Sequence, residues 1–324
     1  MARPPVRVAY LGPEGTVSHE ALLAAAPAAE GVPVGTLREV VLSVQDELLE
    51  RALVPVENAL EGGVDPVLDA LALEAPDVVL AGELVHPVTH CLAAGRQLAL
   101  SDITAVLSHP QATGQCARWL AASLPGVPIV PAASTADAVR EVATPSQRGR
   151  RVAATPTSTP PPGRADTHVS VGSTPSAPSG SDTRAAIGTR LAAERYGAVV
   201  LAAGIEDDPG NATRFAWLAH AGAAGGPPVD GPSKTALVFW GAGSSSPGWL
   251  VSCLGEFADR GINLTRIESR PLRRGLGEYM FFLDLEGSLA DPTVAAAVNG
   301  LHGHAEYVRV LGSFPAAAHG AVAP

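Results

Sequence analysis

Residues 7–26 read RVAYLGPEGTVSHEALLAAA: a short apolar run of β type, a turn of glycine and proline, then an apolar-periodic segment of helical type. A strand that feeds a helix through such a turn is the unit from which an α/β sheet is built. The unit recurs along the chain. AVLSH at 105–109 runs into ATGQCARWLAAS at 112–123, and PIVPAAS at 128–134 runs into TADAVREVA at 135–143. DVVLAGELV at 77–85 and AERYGAVVLAAG at 193–204 supply further strand-type runs. This alternation predicts an α/β sheet with helices on both faces. No dinucleotide fingerprint follows any of these strands.

The C-terminal part has another order: strand (ALVFWG, 236–241), helix (GWLVSCLGEFADRG, 248–261), strand (NLTRIESR, 263–270), strand (EYMFFLDLEG, 278–287), helix (PTVAAAVNGLHG, 292–303), strand (YVRVLGSF, 307–314). That is the split βαββαβ sandwich. Between the two parts, AGAAGGPPVDGPS at 221–233 reads as an interdomain linker. The expected division is a catalytic or binding region over 1–222, a linker over 223–233, a second domain over 234–315 and a tail over 316–324. A further soft stretch, 145–184, has 24 Pro, Gly, Ser or Thr among its 40 residues. Too few apolar groups remain there to offset chain entropy, so it reads as a disordered insertion in the first region.

The 324 residues allow two or three domains, each long enough to bury a core. With 22 basic and 32 acidic side chains the formal charge is −10, which repels phosphate backbones and argues against nucleic acid as a partner. No apolar run reaches the roughly 20 residues of a spanning helix, and MARPPVRVAY at the start lacks a signal-type apolar core. No membrane partner is expected, and the location expected is cytoplasmic. Cys91, Cys116 and Cys253 are too few and too scattered for a disulfide framework or a zinc site; buried reduced thiols are expected. His86 and His90 lie four apart beside Cys91, but Pro87 between them argues against a metal-binding helical face. Lys234 is the one lysine of the chain, which limits Schiff-base chemistry to that residue. Gly226 and Gly231 have phosphate-loop separation, yet Pro232 stands where the lysine is required.

Three loops place small hydroxyl or amide residues where a strand opens into a helix. Thr16 leads to Ser18, expected to cap a helix beginning at His19. Ser108-His109-Pro110-Gln111 sets proline where a missing N–H costs nothing. Ser134-Thr135-Ala136-Asp137 is a variant of the capping box. Helix N-termini with free N–H groups and hydroxyls suit anions, so the loops together suggest a cleft for a carboxylate-bearing ligand; taken singly, each is an ordinary cap. Two further segments, VPVENALEGGV at 54–64 and NATRF at 211–215, place Glu57 with Asn58 and Thr213 with Arg214. A guanidinium that meets a carboxylate, beside a hydroxyl that donates a proton, would serve acid-assisted loss of a leaving group.

With YLGPEGTVSHEA (10–21), VPVENALEGGV (54–64), SHPQATGQC (108–116), STADA (134–138), AAIGTRLAAERYG (185–197), NATRF (211–215) and TRIESRP (265–271) in this order, the chain resembles the prephenate dehydratases that carry a C-terminal ACT domain. The resemblance covers nearly the whole chain outside 145–184. It implies a two-lobed catalytic region of the type II periplasmic-binding-protein kind, with one lobe from about 1–78 and the stretch after about 198, plus a ferredoxin-like ACT domain. It implies conversion of prephenate to phenylpyruvate, water and carbon dioxide without metal or cofactor.

By the same resemblance, Thr213 is the proton donor or its positioner, and Arg214 and Phe215 position the substrate. Glu57, Asn58, Thr16, Ser18, Ser108, Gln115, Ser134 and Thr135 belong to the cleft. L-phenylalanine is the implied allosteric effector, bound by Gly248, Trp249, Leu250 and Val251 with Glu268, Ser269, Arg270 and Pro271, where two copies pair in a homodimer or homotetramer through their ACT domains. The chain departs from the family pattern at three points: Val17 replaces an aromatic, Ala59 a hydroxyl residue, and Trp249 an alanine. Trp249 is expected to crowd the effector site, point outward or enter the dimer seam. Two alternatives stay open, an arogenate dehydratase and an inactive carboxylate or amino-acid sensor.

Overall fold

The computed structural model describes residues 4–144, 183–223, 231–241 and 246–317. All of 145–184 except Thr183 and Arg184 lies outside the described residues, as does 224–230 of the linker. Two sheets of one plan build the first region. The first contains β1 (Arg7–Leu11), β2 (Glu30–Val34), β3 (Arg51–Asn58) with the short β4 (Gly62–Gly63) beside it, and β5 (Val78–Pro87). The second contains β6 (Cys91–Ala94), β7 (Ala105–Ser108), β8 (Ile129–Pro131), β9 (Arg184–Gly188) and β10 (Val199–Ala203). The chain then returns to the first sheet as β11 (Ala212–His220).

Strand order is β2-β1-β3-β11-β5 in one sheet and β8-β7-β9-β6-β10 in the other. In each, three parallel strands are followed by an antiparallel strand that has crossed from the other sheet. Two crossings, at 88–90 and 204–211, therefore join two lobes, the expected periplasmic-binding-protein plan. The lobe limits differ from those expected at about 78 and 198. The strand that precedes each crossing, β5 or β10, is an edge strand of its own lobe's sheet, which moves the limits to Pro87 and Ala212.

Helices α1 (Val17–Ala25), α2 (Leu37–Gln45) and α3 (Asp65–Leu73) belong to the first lobe, and α4 (Pro110–Gln115), α5 (Ala117–Ser123), α6 (Thr135–Ala143) and α7 (Arg190–Tyr196) to the second. Side-chain oxygens of Thr16, Thr36, Ser134 and Thr189 cap α1, α2, α6 and α7, where they satisfy backbone N–H groups that a short helix leaves free. The cap of α1 is Thr16, which accepts from His19 N, and not Ser18, which lies inside the first turn. Thr189 caps α7 and also donates to Gly15 O across the lobes at 2.8 Å. Gly15 sits at φ +87°, and a Cβ there would come within 2.9 Å of Ala192 Cα, so only glycine allows this approach.

Beyond the linker, β12 (Ser233–Trp240), α8 (Trp249–Ala258), β13 (Leu264–Pro271), β14 (Tyr279–Glu286), α9 (Pro292–Leu301) and β15 (Tyr307–Pro315) form the βαββαβ sandwich, in strand order β13-β14-β12-β15. Alternation gives its sheet two apolar faces. Leu237, Phe239, Leu283 and Leu285 meet Phe257 and Leu301 of the two helices. Ala236, Val238, Met280 and Phe282 join Val40, Val44, Leu71 and Leu80 of the first lobe in one continuous core. Each large side chain buried there contributes about 1.5–3 kcal/mol, so the sandwich is welded to the first lobe. Arg309 of β15 completes the contact: it donates to Ala75 O at 2.8 Å and Val78 O at 2.7 Å, and to Leu71 O, at the end of α3. Burial pulls its guanidinium below the usual arginine range.

All three cysteines are buried and free. Burial lifts the thiols of Cys91 and Cys253 to about 11 and that of Cys116 to about 12, so they stay protonated and unreactive. Among the described residues no helix is long and apolar enough to cross a membrane.

Candidate active site between the lobes

A cavity of about 370 Å³ lies between the two lobes, within the range of small-molecule sites. The first lobe contributes Thr16, Val17, Ser18, Asn58, Thr213 and Phe215 to its lining, and the second contributes His90, His109, Gln111, Gln115, Ser134 and Thr135. The N-termini of α1 and α6 thus open on the same space from opposite sides. No Asp, Glu, Lys or Arg is among the described lining residues. Positive potential for an anion comes from the backbone N–H groups at the helix N-termini.

At the floor, β3 and β11 pair so that Thr213 stands opposite Asn58. Asn58 Oδ1 accepts from Leu60 N at 3.0 Å and Glu61 N at 3.2 Å. Its Nδ2 must then point the other way, and it donates to Thr213 Oγ1 at 3.0 Å, to Asn211 Oδ1 at 2.9 Å and to Ala212 O at 3.3 Å. Because Thr213 Oγ1 receives a hydrogen bond from the amide, its own proton is left for whatever occupies the cavity. Asn211, 1 % exposed, has beside this pair a buried Nδ2 that finds no partner among the described residues.

Gln115 bridges the lobes. Its Nε2 donates to Glu61 Oε1 at 2.9 Å, which turns Oε1 toward His90 Nε2, also at 2.9 Å. His90 therefore carries its proton on Nε2 in the neutral form. Ser134 caps α6 and accepts from Asp137 N at 2.9 Å. Of the residues expected in the cleft, Thr16, Ser18, Asn58, Gln115, Ser134, Thr135, Thr213 and Phe215 line it. Three do not. Ser108, fully buried at the end of β7, gives its hydroxyl to His109 O at 3.1 Å and leaves the cap of α4 to His109.

Glu57 and Arg214 are the other two, and strand alternation explains them: neighbours of Asn58 and Thr213 must face the opposite side of the sheet. There Arg214 Nε meets Glu57 Oε2 at 2.9 Å, Nη1 meets Glu83 Oε2 at 3.0 Å, and Nη2 meets Asp284 Oδ2 of the sandwich at 2.6 Å. Burial works against the Arg214 charge, but the carboxylates of Asp284, Glu57 and Glu83 outweigh it and hold its pKa above the usual range. For Glu83, burial likewise opposes ionisation; hydrogen bonds from Lys234, the Ala317 backbone and Arg214 overcome it and keep the carboxyl below its usual range. Arg214 is thus no part of the cavity wall. His90, His109 and Gln111 were not expected there. His109 and Gln111 sit in the helix-opening loop SHPQ, where their polarity was a readable signal, whereas only the lobe crossing brings His90 in.

The expected effector residues separate into two groups. Gly248, Trp249, Leu250 and Val251 border a hollow of about 260 Å³ with Tyr279 and Phe281. Trp249 is its wall: Nε1 donates to His304 O at 2.8 Å, and the ring packs on Phe239 and Phe281 with centroids 5.9 Å away. Ser269 and Pro271 are exposed on the edge strand β13. Glu268 and Arg270 turn the other way, toward the first lobe. Arg270 pairs with Asp69 at 3.1 Å and with Asp65, while Glu268 pairs with Arg266 and lies so close to Gly63 that a Cβ there would fall 2.2 Å from its Oε2.

The sequence model of the prephenate dehydratase family matches residues 8–223. A protein named prephenate dehydratase from Mycolicibacterium vanbaalenii is 37% identical over 323 residues, covering 95% of this chain and 90% of its own. A crystal structure of prephenate dehydratase from Arthrobacter aurescens in complex with L-Phe superposes with a TM-score of 0.78 at 32% identity, over 96% of this chain and 90% of that one. GqqA, described as a novel type of quorum quenching acylase, superposes with a TM-score of 0.75 at 28% identity, over 96% of this chain and 98% of its own.

Proposed function

The chain belongs to the prephenate dehydratase family, and from that premise we propose that it converts prephenate to phenylpyruvate, water and carbon dioxide with Thr213 as the proton donor. Prephenate carries two carboxylates, a ring hydroxyl at C4 and a ring that becomes aromatic when that hydroxyl and the ring carboxylate leave. When the C4–O bond breaks, the electron pair of the bond to the ring carboxylate moves into the ring and carbon dioxide departs. The hydroxyl leaves as water once it has taken a proton. The Thr213 hydroxyl supplies that proton while Asn58 holds its oxygen from the other side, and solvent returns the proton afterwards. A threonine is a poor acid, but hydroxide is so strong a base that donation and cleavage run together, and aromatisation supplies the driving force. The enzyme's remaining task is to fix the dicarboxylate between the N-termini of α1 and α6.

The observation that carries this reading is the donor–acceptor order at Asn58 and Thr213. It also weighs against acyl hydrolysis: a hydroxyl nucleophile needs a base to take its proton, and the partner of Thr213 is an amide N–H. The absence of a carboxylate among the described lining residues favours prephenate over arogenate, whose ammonium would want one. Phenylalanine as feedback inhibitor is supported by the Phe-bound relative and by the hollow at 248–251; its site at a seam between two copies belongs to the same proposal. The test is incubation of the purified chain with prephenate or arogenate separately. Phenylpyruvate from prephenate, with kcat/KM at least about tenfold above that for arogenate, is the expected result. Turnover of neither would leave a binding protein.

A further inference from the structure

We propose that Arg214 is a positioning residue which, with Asp284 of the C-terminal sandwich, fixes the strand that carries Thr213, so that the sandwich helps set the rate of the chemical step. The proposal rests on the reading of Thr213 as proton donor. Two cross-strand pairs sit back to back on β3 and β11. Asn58 and Thr213 form the pair on the cavity side, and their chain neighbours Glu57 and Arg214 form the pair on the reverse side. The reverse pair does not end there.

Arg214, with 11 % of its side chain exposed, reaches Glu83 of β5 (1 % exposed) and Asp284 of β14 (6 % exposed). Glu83 in turn takes Lys234 Nζ of β12 at 2.9 Å and Ala317 N at 2.9 Å. One guanidinium thereby joins three strands of the first lobe to three points of the sandwich. The single lysine of the chain is spent on the same cluster.

Docking alone does not call for this. The interface already has a continuous apolar core and the separate contacts of Arg309 and Arg270, and a buried charge cluster adds little stability over well-packed apolar groups. What the cluster supplies is direction, because a planar guanidinium with three separate carboxylate partners admits one placement. A second contact reinforces it: Gly63 pairs with Glu57 in the β3–β4 ladder and is covered by the carboxylate of Glu268. The sandwich thus presses on both strands that present the Asn58–Thr213 pair.

The experiment compares wild type, Asp284→Asn and Asp284→Glu in the full chain, by kcat and KM for prephenate scaled to the folded fraction from circular dichroism. A displacement of Thr213 by a fraction of an ångström predicts kcat about 10- to 100-fold lower in Asp284→Asn with KM within about threefold, and recovery to within about threefold of wild type in Asp284→Glu. An unchanged kcat, or a raised KM at full kcat, overturns the proposal; the second result would restore Arg214 as a substrate clamp. Should Asp284→Asn fail to fold, Lys234→Gln removes one of the two contacts that tie Glu83 to the sandwich, leaving that from Ala317 N, while Arg214 keeps its carboxylates. It must then show the same split at smaller size, and an unchanged kcat overturns the proposal. A wild type that does not turn over prephenate refutes the proposed function instead.

Discussion

Replacing Asn58 by aspartate tests the direction of the Thr213 proton without removing an atom from the site. The new carboxylate keeps the backbone donors of Leu60 and Glu61, now at 3.0 and 3.2 Å. Its second oxygen faces Thr213 Oγ1 and Asn211, which in the present structure both accept from the amide. Thr213 must then turn its proton toward the carboxylate, and Asn211 can turn its unpartnered Nδ2 the same way. The 3.3 Å contact with Ala212 O is the one clear loss. With that loss set against two new donors, stability should change by no more than about 2 kcal/mol. The chemistry loses its acid, a contribution of about 10²- to 10⁴-fold in rate, or about 3–5 kcal/mol of barrier. Repulsion of a dicarboxylate should raise KM as well, by about tenfold. Phenylpyruvate formation gives kcat and KM, and urea unfolding gives stability. A kcat within about threefold of wild type would refute the reasoning, as would a loss of activity explained entirely by unfolding.

Trp249→Ala should lower stability by about 2–3 kcal/mol in urea unfolding, because a half-buried ring and its bond to His304 O are lost. It should also weaken phenylalanine inhibition in a dose–response assay, since the ring forms a wall of the hollow; tighter inhibition would mean that the ring obstructs it. Two buried groups contribute to the acid limb of stability. Burial pulls His19 below 6.5, and its ring nitrogen accepts from Gly15 N at 3.0 Å, while Glu83 is held below 4.5 by Lys234, Ala317 and Arg214 despite its burial. Both pKa values are depressed by folding, so both contributions are complete above the unfolded values and are lost as pH falls through the folded ones. Urea midpoints should therefore hold steady above about pH 6.5 and decline below it in two stages; a midpoint that rises on acidification from pH 6.5 would contradict this.

Local patterns made the architecture legible. The strand-turn-helix units and the βαββαβ order follow from periodicity and from caps such as Ser134. Lobe limits were not legible, because β11 returns to a sheet begun at the start of the chain and only long-range pairing decides where each sheet closes. Within the site, motifs located Thr213, Asn58, Gln115 and both helix openings. Glu57 and Arg214 were misplaced although the cue was present: residues next to Asn58 and Thr213 in a strand cannot share their face. The same alternation divides Ser269 and Pro271 from Glu268 and Arg270. The partners of Arg214 had no local signal, since Glu83, Asp284 and Lys234 come from separate elements that only the docked sandwich assembles.

The most direct measurement is a single turnover of prephenate by wild type and by Thr213→Val, with binding followed separately by calorimetry. Loss of the hydroxyl should leave prephenate affinity within about tenfold and slow phenylpyruvate release by about 10²- to 10⁴-fold, because the proton is given only in the transition state. A Thr213→Val protein that forms phenylpyruvate at near wild-type rate would contradict the account, because the acid would then have to be another group.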